Sequence, residues 1–166
     1  MKPRISVISV NYNGFAVTTA MIDSLRRHVT TPMEIVVVDN GSERDEAAML
    51  QERYPEIIAI RSPENLGFAG GNNLGIRAAT GDCLLLLNND TEVISPDFIE
   101  EMMGYLQCPD AGVVGAKLYF ADHLVQHAGI LVGVRGALAH ANQDFSAKRE
   151  GYLARAVRPG NFSAVT

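Results

Sequence analysis

Three clusters of carboxamides and carboxylates stand at the ends of short apolar runs. Asn11-Tyr12-Asn13 follows Ile5 to Val10, Asp39-Asn40-Gly41-Ser42 follows Glu34 to Val38, and Asn88-Asn89-Asp90 follows Cys83 to Leu87. Asp39 carries oxygens able to accept hydrogen bonds from a nucleobase or a ribose. The competing reading is a turn that caps the helix after it, a common use of Asx residues. Asp90 supplies a hard oxygen suited to Mg²⁺ or Mn²⁺ on a diphosphate. Such cations keep waters and take further ligands from substrate phosphate, so one protein carboxylate is enough; the alternative is an Asx turn before Thr91. A glycine-rich stretch, Asn65-Leu66-Gly67-Phe68-Ala69-Gly70-Gly71-Asn72-Asn73, lies between the second and third clusters. Its backbone amides could approach a phosphate, although taken alone these glycines read as packing positions. The stretch follows a later strand than a dinucleotide fingerprint would, and it lacks the Gly-Lys-Ser/Thr ending of a P-loop.

The elements that position these residues alternate. Ile5 to Val10, Glu34 to Val38 and Ile57 to Ile60 are rich in strand formers. Cys83 to Leu87 shows no alternation and suits a strand buried on both faces. Val17, Ala20, Met21 and Leu25 recur at helical spacing up to His28. Ala47, Leu50 and Tyr54 mark a second helix, ended by Pro55. A short third helix runs through Ile76, Ala78 and Ala79 to Gly81. Ser95-Pro96-Asp97 has the composition of a helix start, with the helix continuing to Gln107. Val113 to Tyr119 reads as a further strand, and Ala121 to Arg158 as loops and short strands. The expected fold class is therefore α/β, a mostly parallel sheet flanked by helices. Ligands of such sheets bind beyond the carboxyl ends of the strands, and all three polar clusters fall there.

Bulk properties narrow the function. The 166 residues suffice for one domain with a sizeable core. A net charge of −5, with 14 scattered Lys and Arg, argues against a nucleic-acid binder. No apolar run approaches the length of a membrane span, and Ile5 to Val10 is too short for a signal peptide. A cytoplasmic protein is expected, with peripheral docking at the inner face of a membrane left open and the oligomeric state undetermined. Cys83 and Cys108 lie outside any metal spacing and read as reduced thiols. His28, His123, His127 and His140 lack partners at zinc spacing and read as surface or structural residues; His127, in Gln126-His127-Ala128-Gly129, is the one singled out. No Gly-x-Ser-x-Gly elbow supports a serine hydrolase.

Four segments in this order resemble the N-terminal part of family-2 glycosyltransferases of the GT-A (Rossmann-like) fold, close to bacterial rhamnosyltransferase-like members. They are Ser6 to Gly14, Glu34 to Ser42, Asn65 to Asn73 and Leu84 to Asp90. The resemblance covers residues 5 to about 120 well and the rest loosely. It implies an inverting transfer from a nucleotide-diphosphate sugar, a UDP- or dTDP-sugar, to a glycan or lipid-linked acceptor in cell-surface polysaccharide synthesis. It also implies substrate-binding roles for Val10, Asn11, Asn13, Asp39, Gly41, Gly70, Asn72, Asn73 and Asn89. Asp90 would hold Mn²⁺ or Mg²⁺ as the last residue of an Asp-x-Asp motif whose first position here is Asn88. The catalytic general base of the family lies in the acceptor-side half, expected downstream of Thr166. Asn161 to Thr166 resembles the lead into that half, so residues 1–166 are expected to form a single donor-binding domain lacking most of it, truncated at the C-terminus. Two other readings stand beside this one. A nucleotidyltransferase would carry a basic glycine-rich loop after strand one, which Asn11-Tyr12-Asn13-Gly14 is not; a non-catalytic nucleotide-binding module would bind without turnover.

Overall fold

The computed structural model describes residues 5–134, 137–148, 159–160 and 162. The chain divides into two compact units, Met1–Pro96 and Asp97–Thr166.

The first unit runs β1 (Ile5–Asn11), α1 (Phe15–His28), β2 (Met33–Asp39), α2 (Glu46–Arg53), β3 (Ile58–Arg61), α3 (Gly67–Ala78) and β4 (Cys83–Leu86). The four strands form one parallel sheet in the order β3-β2-β1-β4. β1 and β2 are central and covered on both faces, which is why their sequences are continuous apolar runs. Ile8 and Val10 meet α3 at Gly75 and Gly71. The alternate residues of β1 face α1, where Thr18 bonds Asn11. Val7, Ile8, Met21, Ile22, Leu25, Val36, Val37, Val38 and Leu50 form the buried centre.

β4 differs from its sequence reading. It is an edge of the described sheet, and Leu84 and Leu86 are 47% and 50% exposed rather than buried. By register with Ser6 and Ile8 they lie on the α3 side, where α3 packs over β1 and β2. The third helix is longer than its apolar spacing implies, because the glycine stretch is helical from Gly67 onward. Asn65 Oδ1 accepts the Gly67 N–H at 2.8 Å, and Asn40 Oδ1 accepts the Leu66 N–H at 3.0 Å. Side-chain acceptors thus start a helix that glycine propensity alone disfavours.

The second unit holds α4 (Phe98–Leu106), β5 (Leu118–Tyr119), β6 (Val125–His127), β7 (Ile130–Val134) and β8 (Ala137–His140). β5 pairs antiparallel with β6, and β7 with β8. The fourth helix starts after Asp97, whose side chain makes no capping bond, so Ser95 and Pro96 precede it instead of opening it. The strand expected over Val113 to Tyr119 contracts to Leu118–Tyr119. Ala121 onward forms turns and short strands as its weak periodicity suggests; residues 149–158 and the segment Asn161 to Thr166, Phe162 excepted, lie outside the described residues.

Candidate functional site

Parallel pairing puts Asn11 beside Asp39 in register, and β4 flanks β1 on its other side. The three polar clusters therefore share one rim of the sheet. At its centre a chain of side-chain hydrogen bonds links the strand ends. Asn89 Nδ2 donates to Thr18 Oγ1 at 3.0 Å, and Thr18 Oγ1 donates to Asn11 Oδ1 at 2.7 Å. Asn11 Nδ2 then donates to Glu46 Oε2 at 2.7 Å. The same Glu46 oxygen receives the Gly14 N–H at 3.0 Å and the Ser42 hydroxyl at 3.4 Å. Asn11, Thr18 and Glu46 are buried, so this chain is internal wiring, and a ligand at the rim would meet the groups it positions.

Asn13 adopts a left-handed φ of 48°, a conformation Asn tolerates better than most residues. Its Oδ1 accepts the Glu43 N–H at 2.9 Å, while its own N–H donates to Ser42 Oγ at 2.8 Å. These two bonds join the loop after β1 to the loop after β2. Gly41, at φ 80°, makes the turn out of β2, and a Cβ there would lie 2.6 Å from the Glu64 carbonyl carbon. Only glycine fits that approach.

Asp39 is fully buried. Its Oδ1 accepts the Ser42 N–H at 3.1 Å, its Oδ2 accepts the Ala47 N–H at 3.3 Å, and Arg61 Nη1 stands 3.9 Å from Oδ2. The carboxylate thus ties the β2 turn to the first turn of α2. Arg61, at the end of β3, also donates to the Ser42 carbonyl at 3.1 Å and pairs with Asp45 at 3.3 Å. Asp45 caps α2, and the Ala48 N–H it accepts, helped by Arg61, holds its carboxyl below the ordinary value.

On the opposite face, Gly71 and Gly75 let α3 lie against the sheet. Added Cβ atoms would come within 2.8 Å of Val10 Cγ1 and 2.6 Å of Ile8 Cγ2. At Gly70 the obstacle would be Leu66 Cβ, at 2.7 Å. Asn72 is buried and donates to the Phe68 carbonyl at 2.9 Å, whereas Asn73 on the same helix is exposed.

Asn88 and Asp90 are exposed at the end of β4. With Val17, Asp23, Arg27, Asn89 and Glu92, Asp90 also borders an open depression of about 400 Å³ beside α1. Asp39, Gly41 and Asn73 take no part in that depression. Among the described residues no group of three or more His, Cys, Asp and Glu could hold a metal. The described residues thus offer a cation the single exposed carboxylate of Asp90, with water and phosphate to supply the remaining ligands, and form no self-sufficient metal centre among themselves.

Glu46, Thr18 and Arg61 are not legible in the sequence as rim residues. Glu46 and Thr18 lie inside helical patterns, where only a buried polar side chain in the fold reveals them. Exposed Tyr12 and Phe68, at 52% and 65%, belong to the polar segments after β1 and β3; the signal available for them is an aromatic embedded in each polar segment. His127 and His140 form a pair: their Nδ1 atoms are 3.0 Å apart, and the Gly129 N–H donates to His127 Nε2 at 3.2 Å. Burial, and then the nearby His140, hold the His127 imidazole below its ordinary value.

The sequence pattern of glycosyl transferase family 2 matches residues 6–129. Over 169 aligned residues the chain is 32% identical to protein y4gI of Sinorhizobium fredii, covering 99% of this chain and 19% of that one. It is 33% identical over 141 residues to the O-antigen biosynthesis protein RfbC of Myxococcus xanthus, covering 83% of this chain and 11% of RfbC. The chain thus spans a fifth or less of either relative. Among solved structures, the mannosyltransferase PcManGT of Pyrobaculum calidifontis, in complex with GDP-Man and Mn²⁺, superposes with a TM-score of 0.63. That likeness is at 24% identity over 71% of this chain and 36% of the other, and it shows the shared parallel sheet with flanking helices.

Proposed function

The chain belongs to glycosyl transferase family 2, and from that premise we propose that it forms the donor-binding part of an inverting glycosyltransferase. The donor is a nucleoside-diphosphate sugar, a UDP- or dTDP-sugar, in keeping with the sequence resemblance to rhamnosyltransferase-like members. The acceptor is a hydroxyl of a glycan or lipid-linked saccharide in cell-surface polysaccharide synthesis, work done on the cytoplasmic side of the membrane. The observation that carries the reading is the shared rim. Asn11, Asp39 and Asn89 stand at the ends of three strands of one parallel sheet, joined beneath it through Thr18, Glu46 and Ser42. PcManGT, which shares this fold, is in complex with GDP-Man and Mn²⁺.

The residues divide the work by their exposure. Val10 and the backbone of Asn11 wall the nucleoside. Asp39 fixes the 40–42 turn against which the base and ribose rest, Asn13 and Gly41 shape the loops around it, and Gly70 lets the first turn of α3 close on Leu66. Asn72 anchors the start of α3, and Asn73 offers an exposed amide. Asp90 supplies the carboxylate oxygen for a divalent cation, positioned by its neighbour Asn89. Such a cation, when bound, offsets charge on the departing diphosphate as a Lewis acid. No described residue is assigned the proton from the acceptor hydroxyl; that general base belongs to the acceptor-side half of the reaction centre.

Calorimetric titration of UDP, dTDP and GDP into this chain, with and without Mn²⁺, tests the proposal. Binding strengthened by Mn²⁺ in the wild type, with the Mn²⁺ gain abolished in Asp90→Ala, is the expected result. A folded chain that binds none of the three nucleotides would overturn it.

A further inference from the structure

Glu46 has no role in the donor chemistry above, yet its carboxylate sits where the loops after β1 and β2 meet. An ionised carboxylate only accepts hydrogen bonds. All three partners on its Oε2 are donors: Asn11 Nδ2, the Gly14 N–H and the Ser42 hydroxyl. This polarity orients the groups behind them. With Nδ2 turned to Glu46, Asn11 presents Oδ1 to the Thr18 hydroxyl, and Thr18 presents its oxygen lone pair to Asn89 Nδ2. One acceptor-only group at the end of the chain thus fixes the direction of every bond back to the residue adjoining Asp90.

We infer that Glu46 is a positioning residue of the donor site: through Asn11 and Thr18 it sets Asn89, and with it the Asp90 end where the cation and diphosphate bind. The inference rests on the donor-site reading. The ordinary alternative is a glutamate in the first turn of α2 that merely favours the helix dipole. That role requires no burial, whereas Glu46 is 7% exposed, and Asp45 already caps the helix.

The test uses Glu46→Met, Thr18→Val and the double variant E46Q/N11D, each titrated with UDP with and without Mn²⁺ and melted thermally. In Glu46→Met no oxygen is left to accept from Asn11 Nδ2 or the Gly14 N–H, so nothing fixes the orientation of the Asn11 amide and the chain loses its direction. The expected result is about a tenfold loss of the Mn²⁺-dependent gain in UDP affinity, with Mn²⁺-free affinity changed far less. Thr18→Val cuts the relay between Asn11 and Asn89 while leaving Glu46 bonded, and should lose the same gain even if Glu46→Met does not fold. In E46Q/N11D the donor and acceptor exchange places. The carboxylate introduced at position 11 accepts both from the amide introduced at position 46 and from the Thr18 hydroxyl, and part of the gain should return. Unchanged Mn²⁺-dependent binding in both single variants would overturn the inference while leaving the donor site standing. So would Mn²⁺-free and Mn²⁺-dependent binding that fall in parallel with melting temperature. A wild-type chain that binds no UDP under any condition would instead remove the donor-site reading, and the role of Glu46 with it.

Discussion

Glu46 and Glu34 are both buried carboxylates of the first unit, and they stand at opposite ends of the same sheet. Glu34, near the amino end of β2, is bonded by the Ser6 hydroxyl and by the backbone N–H and hydroxyl of Thr80; Ser6 in turn accepts the Gly81 N–H at 2.8 Å. Those partners belong to β1 and to the α3–β4 junction, so Glu34 locks strand to connection where ligands do not bind. Glu46 is bonded by residues of the two loops at the carboxyl end. Chemically the two sites are alike, each a carboxylate surrounded by donors. Their difference is what lies beyond the donors: closed connections in one case, exposed rim residues in the other. Burial of a charge therefore does not by itself mark function; the groups it holds do.

The largest effect should come from Glu34→Ala. Removing the acceptor leaves the Ser6 hydroxyl and the Thr80 N–H without the oxygen they bond, which costs about 3 kcal/mol. Denaturant unfolding should show that loss, with UDP affinity of the folded fraction unchanged. If nucleotide binding fell along with stability, the functional distinction between the two ends would be lost.

Next in size is Gly41→Ala at the carboxyl end. The left-handed backbone costs a side chain about 1 kcal/mol. The backbone carbon of Glu64, 2.6 Å from the added Cβ, must also shift, bringing the total to about 2 kcal/mol. Because the shift moves the turn that Asp39 fixes, UDP affinity should fall too. Gly67→Ala sharpens the point. Its φ is 70°, but nothing lies within 4 Å of an added Cβ, so only the backbone strain of about 1 kcal/mol applies. Equal losses in the two variants would show that the contact with Glu64 does not matter.

The two units also differ in how far their sequences disclose them. In the first, β-branched runs and turn residues mark strands β1 to β3 to within a residue or two, and the polar clusters at the strand ends fall on one rim. Patterning is informative there because both faces of β1 and β2 are covered, so apolar runs and strands coincide. It misleads at β4, where four leucines read as a doubly covered strand although two of them, Leu84 and Leu86, are half exposed. That outcome depends on where α3 lies, and local sequence does not encode it. The glycine stretch is ambiguous for a similar reason. Gly71 and Gly75 are there because a sheet residue occupies the space of a Cβ, a fact about Ile8 and Val10 on a strand far away in sequence. Glu46 is invisible because a glutamate at a helix start is ordinary until its partners are known. In the second unit the strands are two to five residues long, too short for alternation to register.

The smallest effect concerns that second unit, where the His127–His140 pair stands in for the buried carboxylates of the first. The Gly129 N–H donates to His127 Nε2, so the neutral ring carries its proton on Nδ1 and donates it to His140 Nδ1. Protonating His127 would set a ring N–H against the Gly129 N–H. Burial and His140 accordingly hold its value below the ordinary 6.5. The sign follows from proton uptake. As pH falls below 6.5 the unfolded chain binds a proton that the folded chain does not, so stability declines toward the lowered folded value and is unaffected above 6.5. The decline should be confined to the β6–β8 region. Hydrogen exchange at the Gly129 amide should accelerate, relative to its intrinsic rate, between about pH 7.5 and about pH 5.5, while the Gly14 amide on Glu46 keeps its protection. Loss of protection at both amides together would mean that the two regions open as one and that the histidine pair is not the local determinant.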